Sequence, residues 1–209
     1  EDGGLLVTVT PKTLTYTGEM QNLISYSTAP AGAEVTFKVE AQTEGDRCQI
    51  ASDDGLPQGQ DAGTYRVSWV AKLQGYRDAT GSTTVTIAKA SPTTGFSKET
   101  VSVPYEENGT FDSTEETTLN VADDYKGTIT YMSNDTRVAS VQGNSLENIS
   151  LNGTGSATIT AVFTETDNYT AATASFRITV GTAETTISYT AEDYSVEYDR
   201  IAHGSKITV

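Results

Sequence analysis

The run Asp61-Ala62-Gly63-Thr64-Tyr65-Arg66-Val67-Ser68-Trp69-Val70 decides the fold class of this chain. Tyr65, Val67 and Trp69 alternate with Arg66 and Ser68, which is the period-2 pattern of a strand with one face packed and one face wet. The residues that enter the strand, Asp-x-Gly-x-Tyr, have the form of a tyrosine corner, in which the ring packs inside while its hydroxyl bonds back to nearby backbone. In this reading Gly63 permits the tight approach and Asp61 caps the turn. Tyr65 and Trp69 share the Val67 face, so both are expected in the core, with a backbone partner for the buried phenol. The competing assignments are a binding aromatic at Tyr65 and a sugar-stacking platform at Trp69.

Similar runs lie on both sides. Leu5-Val7-Val9, Val35-Phe37-Val39 and Val85-Ile87 precede or follow the corner. A second series runs through Val101-Val103, Leu119-Val121, Ile129-Tyr131, Val138 and Val141, Ile159-Ala161-Phe163 and Phe176-Ile178-Val180. No window repeats apolar residues at i, i+3, i+4, i+7 for three turns, so the chain reads as all-β. Many short strands with frequent turns predict sandwiches.

The two series are copies. Gly63 to Val70 aligns with Gly155 to Val162, Gly75-Tyr76 with Asn168-Tyr169, and Ile87 with Val180, a repeat of roughly 92 residues. The expected organisation is a sandwich over 1–89 and a second over 90–181. Residues 182–209 are read as the start of a truncated third module or as extra strands, through Ile187-Tyr189, Tyr194-Val196-Tyr198 and Ile207-Val209. The stretch 88–95, with Pro92 and Gly95, reads as a linker. Its length and the acidity of both copies predict an elongated pair with little contact between them. Ala157 replaces Tyr65 in the second copy, so its corner must be built differently.

The second copy resembles the bacterial Ig-like group 2 domain. Ser133-Asn134-Asp135, Val138-Ala139-Ser140-Val141 and Gly153-Thr154-Gly155-Ser156-Ala157-Thr158-Ile159 fall on that family's two signature elements. The first copy, with Tyr16-Thr17-Gly18, the Asp61 to Tyr65 corner, Gly75-Tyr76 and a final Thr-Val-Thr-Ile strand, is similar to the MBG-type modules of bacterial surface proteins. The resemblance implies an immunoglobulin-like fold and non-catalytic service as stalk or spacer. With Asp61, Gly63, Tyr65 and Trp69 structural from the corner and its strand, Gly155 joins them from this resemblance, and no catalytic, cofactor or metal residue is expected.

Composition sets limits on chemistry. Apolar residues make up 36% of the 209, which suits thin sandwich cores, and the formal charge is −15 from 28 acidic against 13 basic side chains. Such a surface opposes nucleic acid and anionic lipid. With one cysteine, Cys48, there is no intrachain disulfide, and the single histidine, His203, lies far from it in sequence, so Cys48 reads as a bystander. Asp53-Asp54, Glu115-Glu116 and Asp123-Asp124 fall in apparent loops, where solvated carboxylates are the plain reading. Calcium is the better functional alternative to a catalytic pair, although no Asp-x-Asp-x-Asp-Gly loop is present. Asn108-Gly109-Thr110, Asn152-Gly153-Thr154 and Asn168-Tyr169-Thr170 are sequons by spelling, and Asp112-Ser113-Thr114 resembles a bacterial O-glycosylation acceptor.

No stretch approaches the ~18 apolar residues that span a bilayer, and Glu1-Asp2-Gly3-Gly4 carries no signal pattern. An extracellular or cell-surface location is expected, with any signal or anchor outside this sequence. The expected function is a structural or spacer tandem whose partners are neighbouring domains of the same polypeptide. One alternative is adhesion to host protein or carbohydrate through loops, with Tyr105, Phe111 and Tyr125 as candidate aromatics. Another is an accessory module of a secreted polysaccharide-degrading enzyme.

Overall fold

The computed structural model describes residues 4–182, so the expectation for 182–209 lies, beyond Thr182, outside the described residues. The first half forms β1 (Leu6–Pro11), β2 (Leu14–Thr15), β3 (Gln21–Asn22), β4 (Ile24–Ala29), β5 (Glu34–Ala41), β6 (Cys48–Ile50), β7 (Pro57–Gly59), β8 (Gly63–Lys72) and β9 (Ala79–Ala88). The second half forms β10 (Thr93–Phe96), β11 (Thr100–Pro104), β12 (Thr110–Phe111), β13 (Leu119–Val121), β14 (Ile129–Ser133), β15 (Ala139–Gln142), β16 (Ser145–Leu151), β17 (Gly155–Phe163) and β18 (Ala172–Gly181).

The two halves share one topology. One layer of the first is β2-β9-β8-β5, and the matching layer of the second is β11-β18-β17-β14. The opposite layers are β1-β4 with β3-β7-β6, and β10-β13 with β12-β16-β15. Leu23 joins the two parts of the first opposite layer, donating its N–H to Pro57 O (2.9 Å) and accepting from Lys12 N (2.9 Å). In each half the chain crosses between layers near its start, so that β2 runs parallel to β9 and β11 parallel to β18, while the other pairings are antiparallel. This is the strand order of an immunoglobulin-like sandwich, and the chain carries two in tandem. The repeat inferred from a few matched residues thus extends to every strand.

Alternation decides which side chains fill each core. Tyr65, Val67 and Ala71 of β8 are buried beside Val85 and Ile87 of β9. Ile159, Ala161 and Phe163 of β17 lie with Phe176 and Ile178 of β18 in the same way. Bulk moves between strands from one copy to the other. Val67 faces Thr83 across the first ladder, whereas Ile159 faces Phe176 across the second. That phenylalanine fills space in a core where Ala157 stands in place of Tyr65.

Trp69 departs from its expected position. It is half-buried, packed on the edge of the first cluster, and not inside it. Its register partner Gly81 is the reason. A Cβ on Gly81 would fall 2.4 Å from the indole, so the ring lies flat across the bare glycine near the end of the sheet, where the opposite layer covers only part of it.

The second sandwich carries an insertion that the first lacks. Between β12 and β13 a short 3-10 turn, Ser113–Glu115, is inserted, and Asp112 caps it by accepting from Thr114 N at 2.9 Å. Ser113 is fully buried and donates to Leu146 O at 2.9 Å, while Thr117 holds both Lys98 N and Lys98 O at 3.0 Å. The glycosylation reading of Asp112-Ser113-Thr114 is therefore corrected: its central hydroxyl is consumed inside the fold.

Candidate functional site

The described structure concentrates unusual chemistry at one place, the joint between the sandwiches. The expectation of little contact is overturned there. Only residues 89–92 separate β9 from β10, and they do not hang free: Ala90 donates N–H to Asn168 O (3.0 Å) and accepts from Thr170 N (2.9 Å). The linker is thus paired to the second sandwich, as Gly4 is bridged to Arg77 in the first. A single hydrophobic cluster runs through both halves, taking Tyr16, Leu23, Tyr65 and Ile87 from one, and Tyr125, Phe163 and Tyr169 from the other.

Strand registers show which ends meet. The first sandwich presents the pole where β8 begins and β9 ends, with Tyr16 just past β2. The second presents the opposite pole, with the loop before β14 and the loop between β17 and β18. The contact is head to tail.

Aromatic rings fill it. Tyr16 and Tyr169 meet edge to face with centroids 5.3 Å apart, Tyr169 meets Tyr125 at 5.7 Å, and Tyr125 meets Phe163 at 5.5 Å. Such arrangements suit the quadrupoles of the rings. Tyr125 donates to Thr164 O at 2.7 Å. Tyr16 and Tyr169, from opposite sandwiches, both donate to the carboxylate of Asp124. Burial first, and then the bond to Asp124, push the Tyr16 phenol up to about 12 and raise that of Tyr169 as well. The same two bonds, that from Tyr16 foremost, hold Asp124 below the usual carboxylate range.

Asp61 is the second anchor, and its role differs from the cap of its own turn expected above. Its carboxylate takes Arg47 in a fork, with Nε at 3.0 Å and Nη2 at 2.9 Å, and also accepts the Arg47 backbone N–H at 2.8 Å. Asn168 of the second sandwich donates to it at 3.2 Å and accepts from Ala62 N at 2.8 Å. The Arg47 bonds are the main cause that lowers Asp61 to about 2, against the opposing effect of burial. Lys89 closes the rim, bonded to Glu165 at 2.6 Å and to Thr166 O at 2.7 Å. The repulsion between acidic modules is therefore offset locally, because Asp61, Asp124 and Glu165 meet amide, guanidinium, phenol or ammonium donors.

Tyr65 stands behind this anchor. It is fully buried, and its hydroxyl donates to Asp61 O at 2.6 Å. Burial drives its pKa to about 12. Gly59 makes room, since a Cβ there would fall 2.8 Å from the phenol ring. Gly63 lies against Asp46, with 2.4 Å from an added Cβ to Asp46 Oδ2. Gly155 adopts φ +137°, and an added Cβ would fall 3.1 Å from Val138.

A cleft of about 490 Å³ opens beside the joint, lined by Asp46, Arg47, Asp61, Lys89 and Asp167 among others. Asp46 has one carboxylate oxygen buried without a partner, and burial foremost, then Asp61, raises its pKa. Among the described residues no group of three or more His, Cys, Asp or Glu is placed to hold a metal ion. Asp54 is used locally, accepting Leu56 N at 2.9 Å and Asn22 Nδ2 at 3.3 Å, and Glu116 pairs with Lys98 at 2.7 Å. Cys48 is half-buried at the edge of the first core.

The aromatics considered for a loop-borne binding surface do not gather. Tyr125 is buried in the joint, whereas Tyr105 and Phe111 pack against the second core. Of the sequons, Asn152 donates its amide to Thr136 O and Ser140 Oγ, and Asn168 is engaged at the joint. The sequence places Asp124 among solvated loop carboxylates, which the structure corrects, since two phenols cover it at the joint, and it offers Asn168 only as a sequon and a repeat match. The Asn168-Tyr169 match to Gly75-Tyr76 marked the loop, but not its contact with the other copy.

No family model matches the sequence, and no curated protein matches it. Solved structures with similar folds include Drosophila N-cadherin EC1-3, at 10% identity and TM-score 0.35, covering 87% of this chain and 69% of that one. Tandem Ig repeats of Dlar share 10% identity at TM-score 0.27, covering 84% of this chain and 98% of that one. An endo-fucoidan hydrolase of glycoside hydrolase family 107 shares 14% identity at TM-score 0.29, and the match spans 88% of this chain and 29% of the hydrolase.

Proposed function

We propose that this chain is a non-catalytic spacer of a bacterial cell-surface or secreted protein, built from one sandwich over residues 1–89 and another over 90–181. The observation that carries the reading is the joint. Phenols from both sandwiches share the Asp124 carboxylate, and one apolar cluster continues through both halves. A binding tandem gains from adjustable modules, whereas a spacer must keep its length, and ordered aromatic contacts with satisfied polar groups resist bending. Asp61, Asp124, Asn168, Tyr16 and Tyr169 at the joint are engaged with one another or with Arg47, which suits a structural role. Asp61, Gly63, Tyr65 and Gly155 are then structural, keeping the two poles in shape, with Trp69 closing the far end of the first sandwich.

Small-angle scattering of the full chain at pH 7, with and without Tyr16→Ala plus Tyr169→Ala, tests this reading. A profile of one extended rigid body in the parent, becoming that of two bodies on a flexible tether in the variant, is expected. A parent that already scatters as two freely moving bodies would remove the basis for the spacer.

A further inference from the structure

Tyr16 and Tyr105 occupy one position in the two sandwiches. Each follows the strand that pairs in parallel with the last strand of its own sandwich, and each sends its N–H to that last strand. Tyr16 N reaches Ala88 O at 2.8 Å and Tyr105 N reaches Gly181 O at 3.0 Å. Tyr16 is the side chain that the second sandwich covers. Tyr105 borders a cleft of about 750 Å³ at the corresponding pole of the second sandwich, walled by Val103, Pro104, Glu106, Thr179 and Gly181. The local pattern is also written again. Ser102-Val103-Pro104-Tyr105-Glu106 returns as Ser195-Val196-Glu197-Tyr198-Asp199, 93 positions later, close to the 89 between Tyr16 and Tyr105.

We infer that the Tyr105 pole of the second sandwich is a docking seat, and that its occupant is the opposite pole of a following sandwich on the same polypeptide, one whose opening sequence lies within residues 183–209. The inference rests on the spacer reading in one respect, since it treats the joint as a unit that repeats. The chemistry of the seat follows from the joint already built. Tyr105 offers a ring edge and one O–H donor, so the occupant must supply a carboxylate where Asp124 stands and an aromatic where Tyr169 stands. The seat differs in one respect. Gly153-Thr154 falls where the first sandwich has Asp61-Ala62, so this pole lacks the carboxylate that takes Asn168. The second joint is accordingly held by the tyrosine and the apolar walls.

The probe is residues 1–182 followed by a second copy of residues 90–182, in a Cys48→Ser background. The added copy brings its own Asp124 and Tyr169 to the seat. Spin labels at Ser175→Cys in both copies report the new joint through their distance distribution. Labels at Thr84→Cys and Ser175→Cys in the full chain report the natural joint. A single narrow distance across the new joint is expected, broadened at least twofold by Tyr105→Ala in the first of the two copies. A broad distribution in the parent probe overturns the inference, as does a narrow one that Tyr105→Ala leaves unchanged. A distance that grows in only as concentration rises also overturns it, because a separate molecule would then fill the seat. If instead the natural joint is itself broad, the spacer reading fails, and the two failures are told apart.

Discussion

Replacing Asp61 by asparagine removes one negative charge from the joint and keeps the shape of the side chain. In the folded protein this carboxylate has a pKa of about 2, against an ordinary 3.8, chiefly because Arg47 grips it in a fork. Asp61 is 9% exposed, but the side chain of its partner Arg47 is more than half exposed, so solvent screens part of that effect. A depression of nearly two pKa steps corresponds to about 2 kcal/mol of folding stability. The folded pKa is lowered, so this stability is fully present above the unfolded value and is lost as pH falls through about 2. Urea unfolding of parent and Asp61→Asn, repeated between pH 7 and pH 2, measures the difference directly. Expected is a deficit of about 2 kcal/mol at pH 7 that holds to about pH 5 and shrinks to a few tenths of a kcal/mol near pH 2. A deficit that stays constant across this range would show that shape or hydrogen-bond count, and not the Arg47 charge pair, sets the contribution of Asp61.

Tyr65→Phe keeps the ring and leaves Asp61 O without its buried donor, so a loss of about 1–2 kcal/mol in urea unfolding is expected, with no change in slope. Gly155→Ala places a Cβ against Val138 on a backbone at φ +137°, and about 1–3 kcal/mol should be lost, whereas Gly143→Ala, with open space around it, pays only for its φ of +60° and loses about 1 kcal/mol. Gly81→Val pushes the indole of Trp69 off the sheet; its fluorescence should shift to the red and iodide quenching should rise, and an unchanged spectrum would contradict the flat packing.

How much of this was legible in the sequence depended on where each side chain found its partner. The β8 strand was readable because its core face is filled from its own sandwich, so alternation alone marks Tyr65 and Val67. The β7 strand was not, since Pro57-Gln58-Gly59 looks like a turn; its glycine is bare because the Tyr65 ring lies on it, a long-range reason that no local pattern records. The β16 strand also escapes the period-2 pattern, although Leu146, Ile149 and Leu151 are buried, because the register shift against β15 breaks its period. Trp69 followed the alternation of its strand, but alternation says nothing of how near the sheet's end a residue lies. The joint was the largest miss. Net charge implies repulsion between modules, but charge acts at contact through individual donors and acceptors: Arg47 and Asn168 take Asp61, two tyrosines take Asp124 and Lys89 takes Glu165.

The parallel pairing at the start of each sandwich has a consequence for tension. A pull on the two ends of the second sandwich drags β11 and β18 along their lengths in opposite directions, so the rungs from Thr100–Arg177 to Pro104–Gly181 share the load in shear and do not open one after another. The first sandwich has only Leu14–Ile87 and Thr15–Ala88 in that position. Under a rising force the first should stretch out earlier, serving as a shock absorber in series with a stiffer strut. A force-ramp recording in which the second sandwich yields first would contradict this order.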